Sequence, residues 1–320
     1  MDSSNMKKQQ LVWVNILKTI AILAVVLGHM PTPFTPYIFA FHMPLFFFVS
    51  GFFLQYKQSF WQELWHDTKR YMRLFFVFAI LGLGVEYIKR FAFPNYAFIT
   101  PTIDVYSEIF GIFYYMDFAH MHQYGFVLWF LPALVFGRAI TRMLSKIPFG
   151  WAMVIASSLL ALGVFGPPLP FALGSAFIGV FWIVLGMKVF PKLTKMNGSL
   201  WMFLTSLAGI IILFQLPLYG LDIAKRIVVQ PVYTVLWSTL FILFLVGIVQ
   251  FLSKFRIVWN VQVFGQNTMM IFLIHPYVNN AAYLITTKWF YGIWIWEFLI
   301  AIIGITAAIL VLNMVKKRYL

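Results

Sequence analysis

A lysine and a histidine stand inside the first apolar stretch of the chain, which reads LVWVNILKTIAILAVVLGH from residue 11 to residue 29. Ionisable side chains are costly in hydrocarbon unless they are paired or hydrated, so they mark candidate functional sites. Lys18 and His29 are eleven residues apart, which in an α-helix is about three turns and about 16 Å along the axis. The spacing predicts one helix face that carries a cation and an imidazole. Because histidine titrates near neutral pH, His29 is a candidate general base for a hydroxyl group.

Two further histidines stand in later apolar stretches. The second stretch, YIFAFHMPLFFFVSGFFL, follows a proline-broken turn and carries His42 and Ser50. His275 lies in FGQNTMMIFLIHPYV, directly before Pro276. If successive helices alternate in direction across a membrane, these two histidines and His29 lie at a similar depth near the outer side. A histidine that only hydrogen-bonds a neighbouring helix is the simpler alternative for each of them.

No metal site is predicted, because ligands at helical spacing such as i and i+4 are missing and His120 and His122 read as a chance pair in a loop. A proton relay of the kind found in transporters would need carboxylates within the spans. Only Glu86 and Glu297 are candidates, and both lie near outer ends.

A pair of arginines forms the second candidate site. Arg70 and Arg73 in KRYMR are one helical turn apart, a spacing that allows two guanidinium groups to bind phosphates. A cluster of positive charge that simply flanks a membrane span on its cytoplasmic side is the alternative.

The composition indicates the class of protein that positions these residues. With 62% hydrophobic and only 10% charged residues among 320, the chain is predicted to be an all-α integral membrane protein rather than a soluble one. Apolar stretches of sufficient length predict about ten transmembrane helices. The predicted spans are residues 11–29, 37–56, 72–91, 124–139, 149–165, 171–187, 199–217, 231–252, 259–285 and 292–314.

The distribution of positive charge predicts the orientation. With the N-terminus in the cytoplasm, seventeen Lys and Arg residues, among them Arg138 and Arg142, fall on inner segments and five on outer ones. Cytoplasmic loops collect such residues, so both termini are expected in the cytoplasm. The net charge of +14 is thereby explained without nucleic acid as a partner. The absence of cysteine excludes disulfides and thiolate chemistry.

Residues 1–320 are predicted to form a single transmembrane domain without a cleaved signal peptide. Residues 57–71 are expected to form a cytoplasmic helix on the membrane surface. Residues 92–123 form a long extracytoplasmic segment, rich in aromatic residues and carboxylates, that suits either carbohydrate binding or an interfacial helix.

The motifs in this order resemble those of the integral-membrane acyltransferase 3 family. Lys18 and His29 resemble its Arg/Lys-x10-His helix, and FHMPLFFFVSGFF resembles its F-x-x-P-L-F-F-x-x-S-G segment. Further similarities are the Arg70 and Arg73 pair, LWFLPAL with Trp129, and GQNTMMIFLIH with Asn267 and His275. The second segment is most similar to the branch described as fucose 4-O-acetylase-like. The sequence departs from the family in Asn15, where Asp is usual, and in Lys18, where Arg is commoner.

The resemblance implies an enzyme that transfers an acyl group, usually acetyl from cytoplasmic acetyl-CoA, to a hydroxyl of an extracytoplasmic or lipid-linked glycan. It implies that His29 and Lys18 are catalytic, with His29 removing the hydroxyl proton and Lys18 along the pantetheine route or at the thioester oxyanion. It also implies a set of residues that bind acyl-CoA or the acceptor: Arg70, Arg73, His42, Ser50, Trp129, Asn267 and His275. Acyl-CoA is a substrate, and no bound cofactor or metal is expected.

We therefore expect a multi-pass protein of a bacterial plasma membrane that O-acetylates polysaccharide of the cell envelope, with acyl-CoA, a glycan acceptor and membrane lipid as its partners. A transporter or flippase of a lipid-linked sugar or small organic acid is the alternative from another class. It would move its substrate without consuming acyl-CoA. A non-catalytic scaffold is a third possibility, since Asn15 removes the carboxylate that would orient the cation.

Overall fold

The computed structural model describes residues 3–54, 59–92, 105–121, 124–196, 204, 207–209, 211, 220–253, 255 and 260–319. These residues are predominantly helical. The helices are α1 (Ser3–Gly28), α2 (Thr35–Phe52), α3 (Phe60–Ala92), α4 (Val105–Phe110), α5 (Phe130–Leu144), α6 (Phe149–Phe165), α7 (Leu173–Met196), α8 (Pro231–Leu252), α9 (Gln262–Gln266), α10 (Thr268–Trp289) and α11 (Trp294–Tyr319).

Within the described residues, five helices are long and apolar enough to cross a membrane: Thr35–Phe52, Phe60–Lys89, Leu173–Thr194, Pro231–Leu252 and Trp294–Val315. Val12–Gly28 and Phe149–Phe165 are shorter apolar helices. The predicted all-α membrane class is therefore confirmed. The total of ten spans and the cytoplasmic position of both termini stay predictions. Of the predicted span 199–217, all but residues 204, 207–209 and 211 lies outside the described residues.

Two predicted spans differ from the helices observed. The helix expected from residue 124 begins at Phe130, since residues 124–129 form turns. Pro132 stands in its first turn, where its missing N–H costs no helical hydrogen bond. The single span expected over 259–285 is divided at Asn267 into α9 and α10.

The surface helix expected at residues 57–71 is not a separate element. From Phe60 onward it is continuous with the third predicted span, and together they form the 33 residues of α3. At about 1.5 Å per residue this helix is about 50 Å long, more than the roughly 30 Å of a hydrocarbon core. Trp61 and Trp65 on its first turns are exposed.

The described chain divides into two compact units. The first unit comprises Met1–Phe46, Thr194–Gly220 and Val232–Leu320. In it, α1 packs against α9, α10 and α11, and α10 packs against α11. Small residues allow the close approach of these helices, as where the side chain of Val278 contacts Gly304.

The second unit comprises Phe47–Leu193 and Leu221–Pro231. In it, α3 packs against α5, and a core of alanine and branched aliphatic side chains joins α5, α6 and α7: Leu144, Ala152, Ala156, Val180 and Val184. A two-residue hairpin, β1 (Leu221–Asp222) and β2 (Ile227–Val228), pairs Leu221 with Val228. Arg226, in the turn of this hairpin, donates hydrogen bonds to carbonyls at and just after the end of α6, those of Gly163, Gly166 and Pro167.

The described part of the 92–123 segment belongs to the second unit and has its own short structure. After α4 come a π-helical turn, Gly111–Tyr115, and a 3₁₀ turn, Phe118–His120. Asp117 caps the second turn, and its carboxylate lies 2.7 Å from Nδ1 of His120, whose ring stacks on Tyr115. His122 lies outside the described residues.

Candidate active site

The three histidines identified in the sequence lie in the first unit, and the structure brings them together. The rings of His29 and His275 stack with centroids 5.3 Å apart and an interplanar angle of 20°. Phe39 lies between His29 and His42, with centroid distances of 6.0 Å and 5.0 Å, and makes edge-to-face contacts with both. His42 and His275 are buried, whereas His29, directly after α1, is partly exposed. These three histidines form the histidine cluster.

Pro276 explains how His275 is fixed. A proline in a helix removes the N–H that would bind the carbonyl four residues earlier, here that of Phe272. In the structure the Nδ1 of His275 lies 2.7 Å from that carbonyl oxygen. A carbonyl only accepts hydrogen bonds, so Nδ1 carries the proton of the neutral ring and Nε2 presents its lone pair. The dipeptide His275-Pro276 thus sets both the orientation and the tautomer of the imidazole.

A main-chain carbonyl also holds His42 on α2, although this carbonyl is not one that a proline leaves without its helical donor. Its Nδ1 lies 2.7 Å from the carbonyl oxygen of Ile38, so this ring also has its proton on Nδ1. Pro44 leaves the carbonyl of Ala40 without its helical donor, and the buried hydroxyl of Ser238 donates to it instead. Each proline thus leaves one carbonyl without its helical donor: His275 binds that of Phe272, and Ser238 binds that of Ala40.

A close contact between α1 and α9 positions the helix that precedes His29. The hydroxyl of Thr19 accepts from the N–H of Gly265 at 2.9 Å and donates to the carbonyl of Val261 at 2.9 Å. A side-chain carbon on Gly265 would overlap the backbone oxygen of Asn15, so only glycine allows this approach. The GQNT motif thereby has a packing role in addition to any role in binding.

Asn279 is a member of the site that sequence reasoning missed. Its Nδ2 donates to the carbonyl of Val26 at 2.9 Å, one of the last carbonyls of α1. It stands one turn after His275 on α10 and is buried. The spacing His275-x-x-x-Asn279 was the available signal, because residues four apart share a helix face.

The remaining predicted residues of the first unit are Lys18 and Asn267. Lys18 is partly buried on α1, about 16 Å along the axis from His29. Asn267 stands at the break between α9 and α10, where its Nδ2 donates to the carbonyl of Val263 at 2.8 Å. This hydrogen bond gives Asn267 a structural role at the break.

The other predicted residues belong to the second unit. The hydroxyl of Ser50 donates to the carbonyl of Phe47 at 2.7 Å, within its own helix. Trp129 is buried directly before α5. Arg70 and Arg73 are exposed on α3, and the guanidinium carbon of Arg70 lies 5.4 Å from the ring centroid of Tyr71.

A buried ion-pair cluster joins α3 and α5 in the second unit. Arg138 Nε donates to Asp67 Oδ2 at 2.9 Å, and Arg142 Nη2 donates to the same oxygen at 2.7 Å and to Glu63 Oε2 at 3.2 Å. Arg138 Nη1 also donates to the carbonyl of Ser50 at 3.1 Å. Sequence reasoning counted both arginines only as cytoplasmic charge. Asp67 was the available signal, since the chain has only nine acidic residues.

The two carboxylates considered for a proton relay are buried in different units. In the second unit, Glu86 lies 3.6 Å from the ammonium group of Lys89, which also lies over the ring of Tyr124. In the first unit, Glu297 stands in the first turn of α11, where the helix dipole favours negative charge. Among the described residues, no group of three or more His, Asp or Glu side chains has the geometry to hold a metal ion.

Comparison with known proteins identifies the family. The acyltransferase 3 family model, described as an acyltransferase domain, matches residues 11–314. The chain belongs to the acyltransferase 3 family. The match extends over both units and includes the histidine cluster and the arginine pair, so the resemblance read from the motifs is confirmed at this level. This acyltransferase 3 protein is thus a multi-pass membrane acyltransferase. No curated protein and no solved structure matches the chain.

Proposed function

We propose that this protein is an O-acyltransferase that moves an acyl group from cytoplasmic acyl-CoA to a hydroxyl of an extracytoplasmic or lipid-linked glycan. Acetyl is the acyl group that we propose. The fucose 4-O-acetylase-like branch and a role in cell-envelope polysaccharide are parts of the same proposal. So is the location in a bacterial plasma membrane. The observation that carries it is the partly exposed imidazole of His29, stacked on a buried, tautomer-fixed His275.

The chemistry begins with a proton transfer to His29. A neutral imidazole within hydrogen-bond reach of an acceptor hydroxyl takes its proton as the oxygen attacks the thioester carbonyl. The new C–O bond forms, the C–S bond breaks, and the proton on His29 passes to the departing CoA thiolate. The ester and free CoA are the products, and His29 returns to its neutral form.

The burial of the neighbouring rings supports this role. His42 and His275 are buried, and Phe39 packs edge-to-face on His29 and His42. The two neighbouring imidazoles hold their own protons on Nδ1 against main-chain carbonyls. His29 is the partly exposed member of the cluster, and the proposal therefore gives it the role of general base.

The cationic residues are proposed to bind the acyl donor, acyl-CoA. About 16 Å along α1 is far beyond hydrogen-bond reach, so Lys18 and His29 contact different parts of an extended acyl-CoA. We propose that Lys18 contacts the pantetheine arm and, as a separate proposal, that the exposed Arg70 and Arg73 of the second unit bind phosphate groups. A two-step transfer, in which His29 first takes the acyl group and then passes it to the hydroxyl, is the alternative mechanism. Labelled protein trapped with acyl-CoA before the acceptor is added would identify it.

A transporter of a lipid-linked sugar or small organic acid is the competing proposal, and the buried Glu86 and Glu297 favour it. Inside-out vesicles that receive acetyl-CoA labelled in its acetyl group distinguish the two. Label on the glycan, with release of CoA in equal amount, is the result expected of an acyltransferase. Movement of the glycan or acid with no consumption of acetyl-CoA would overturn the proposal.

A further inference from the structure

Two acceptor atoms on α10, one of them in the ring that stacks on His29, are buried without a hydrogen-bond partner in the part of the chain that the structure describes. They are Nε2 of His275 and Oδ1 of Asn279, whose side chains belong to residues that are 0% and 6% exposed. The two residues are four apart on α10, so they share one face of the helix. Buried polar atoms of native proteins nearly always have a partner, so such a pair points to one from outside the chain.

The hydrogen bonds made by the other polar atom of each side chain show whether Nε2 of His275 and Oδ1 of Asn279 are donors or acceptors. His275 uses its Nδ1–H on the carbonyl of Phe272, which leaves a lone pair on Nε2. Asn279 uses its NH₂ group on the carbonyl of Val26, which leaves its carbonyl oxygen on the other side. Both atoms therefore accept hydrogen bonds, and the missing partner has to donate two hydrogens.

We propose that His275 and Asn279 form a subsite for two hydroxyl groups of the acceptor, next to the hydroxyl that His29 deprotonates. This inference rests on the proposed function and narrows its substrate class. Each hydroxyl has one hydrogen to give, so two acceptor atoms call for two hydroxyls. The rings of His275 and His29 stack with centroids 5.3 Å apart, so the hydroxyl bound at His275 would lie near the reacting oxygen.

The acceptor is therefore a polyol that keeps free hydroxyls beside the acylated position, as a sugar ring does. A monohydric alcohol and a glycan already substituted at those positions would leave the two acceptors unpaired, so both are poor substrates. The thioester carbonyl and the phosphates of the donor present only lone pairs and do not fit. The amide N–H groups of pantetheine are the other source of hydrogens, and the experiment separates them from the acceptor.

The test measures binding without acyl transfer. De-O-acetylated oligosaccharides from the envelope glycan of the expression host are the probe, and equilibrium dialysis with the detergent-solubilised full-length protein gives their Kd. His275→Asn keeps an amide donor near the position of Nδ1 and removes the acceptor at Nε2, while His275→Gln restores a polar atom there. Asn279→Leu removes the second acceptor. Thr286→Val is the control, since among the described residues this buried hydroxyl of α10 bonds carbonyls of its own helix, those of Ala282 and Tyr283.

The Kd of the oligosaccharides should rise about tenfold or more in His275→Asn and Asn279→Leu, and stay near the wild-type value in His275→Gln and Thr286→Val. The Kd of acetyl-CoA should be unchanged in all four. Unchanged oligosaccharide binding, as when the two atoms hold only water, overturns the inference. An equal rise in the Kd of acetyl-CoA, or no oligosaccharide binding by the wild type, also overturns it. If the wild-type protein binds the oligosaccharide but transfers no acetyl group, the proposed function is contradicted while the binding subsite is still supported.

Discussion

The histidine cluster of the first unit and the ion-pair cluster of the second unit solve the problem of buried polar groups in opposite ways. In the ion-pair cluster, one carboxylate oxygen of Asp67 binds the guanidinium groups of both Arg138 and Arg142. In the histidine cluster the rings of His42 and His275 bind main-chain carbonyls at Nδ1, and a buried ring nitrogen of His275 has no partner among the described residues.

The difference separates a site that holds helices from a site that can hold a substrate. Charges that neutralise one another across α3 and α5 fix the packing of those helices, and removal of either sign leaves the other buried. Neutral imidazoles with available lone pairs keep a capacity for proton transfer and for donors from a ligand. Four changes to the protein test this contrast.

The largest effect on stability is expected from Asp67→Asn. It leaves two buried guanidinium groups without their shared carboxylate and should lower the free energy of unfolding by about 3–5 kcal/mol. Unfolding in detergent by heat or denaturant measures it. Glu63→Gln is the matched control and should cost less, because the Glu63 side chain is 15% exposed against 4% for Asp67. Equal losses in the two variants would contradict the structural role of Asp67.

A smaller, kinetic effect is expected from the exposed arginines of the same unit. Arg70→Ala combined with Arg73→Ala should raise the KM for acetyl-CoA about tenfold, since two charge-assisted contacts to phosphate are lost. The effect should shrink at high salt, and kcat should change little. Lys69→Ala, an exposed neighbour on α3, should leave the KM within about twofold. An equal rise in the KM for acetyl-CoA in Lys69→Ala would contradict phosphate binding by the arginines and leave them only as positive charge that flanks a membrane span.

The smallest effect is expected from Pro276→Ala. The new backbone N–H competes with His275 for the carbonyl of Phe272 and loosens the imidazole. The kcat/KM for the glycan should fall about threefold, a loss near that of one modest hydrogen bond. In a His275→Asn background the same change should have little further effect, because coupled residues are not additive. Full additivity in this double-mutant cycle would show that Pro276 does not act through His275.

The sequence predicted the apolar helices and the meeting of the histidines because length and alternation need no knowledge of side-chain contacts. His29, His42 and His275 were placed at one depth by counting spans. The structure stacks His29 on His275 and packs Phe39 against both His29 and His42. The helix break at Asn267 was not predicted, because it depends on side-chain bonds to carbonyls of the preceding turn.

The pairings between distant segments could not be read at all. Asp67 and Arg138 are 71 residues apart, and Val26 and Asn279 are 253 apart. A helix that is apolar on every side gives no periodic signal for the face it turns to a neighbour. The spacing of His275 and Asn279 indicates that they share a face of α10, but the contact of Asn279 with Val26 becomes visible only in three dimensions.

The most direct test of the central claim compares wild-type protein with His29→Gln in inside-out vesicles supplied with labelled acetyl-CoA. General-base catalysis contributes about 10²–10⁴-fold, so the variant should acetylate the glycan at least a hundredfold more slowly. Its folded yield and unfolding temperature should match the wild type, because His29 is partly exposed. Acetylation by a folded His29→Gln variant at the wild-type rate would contradict the account.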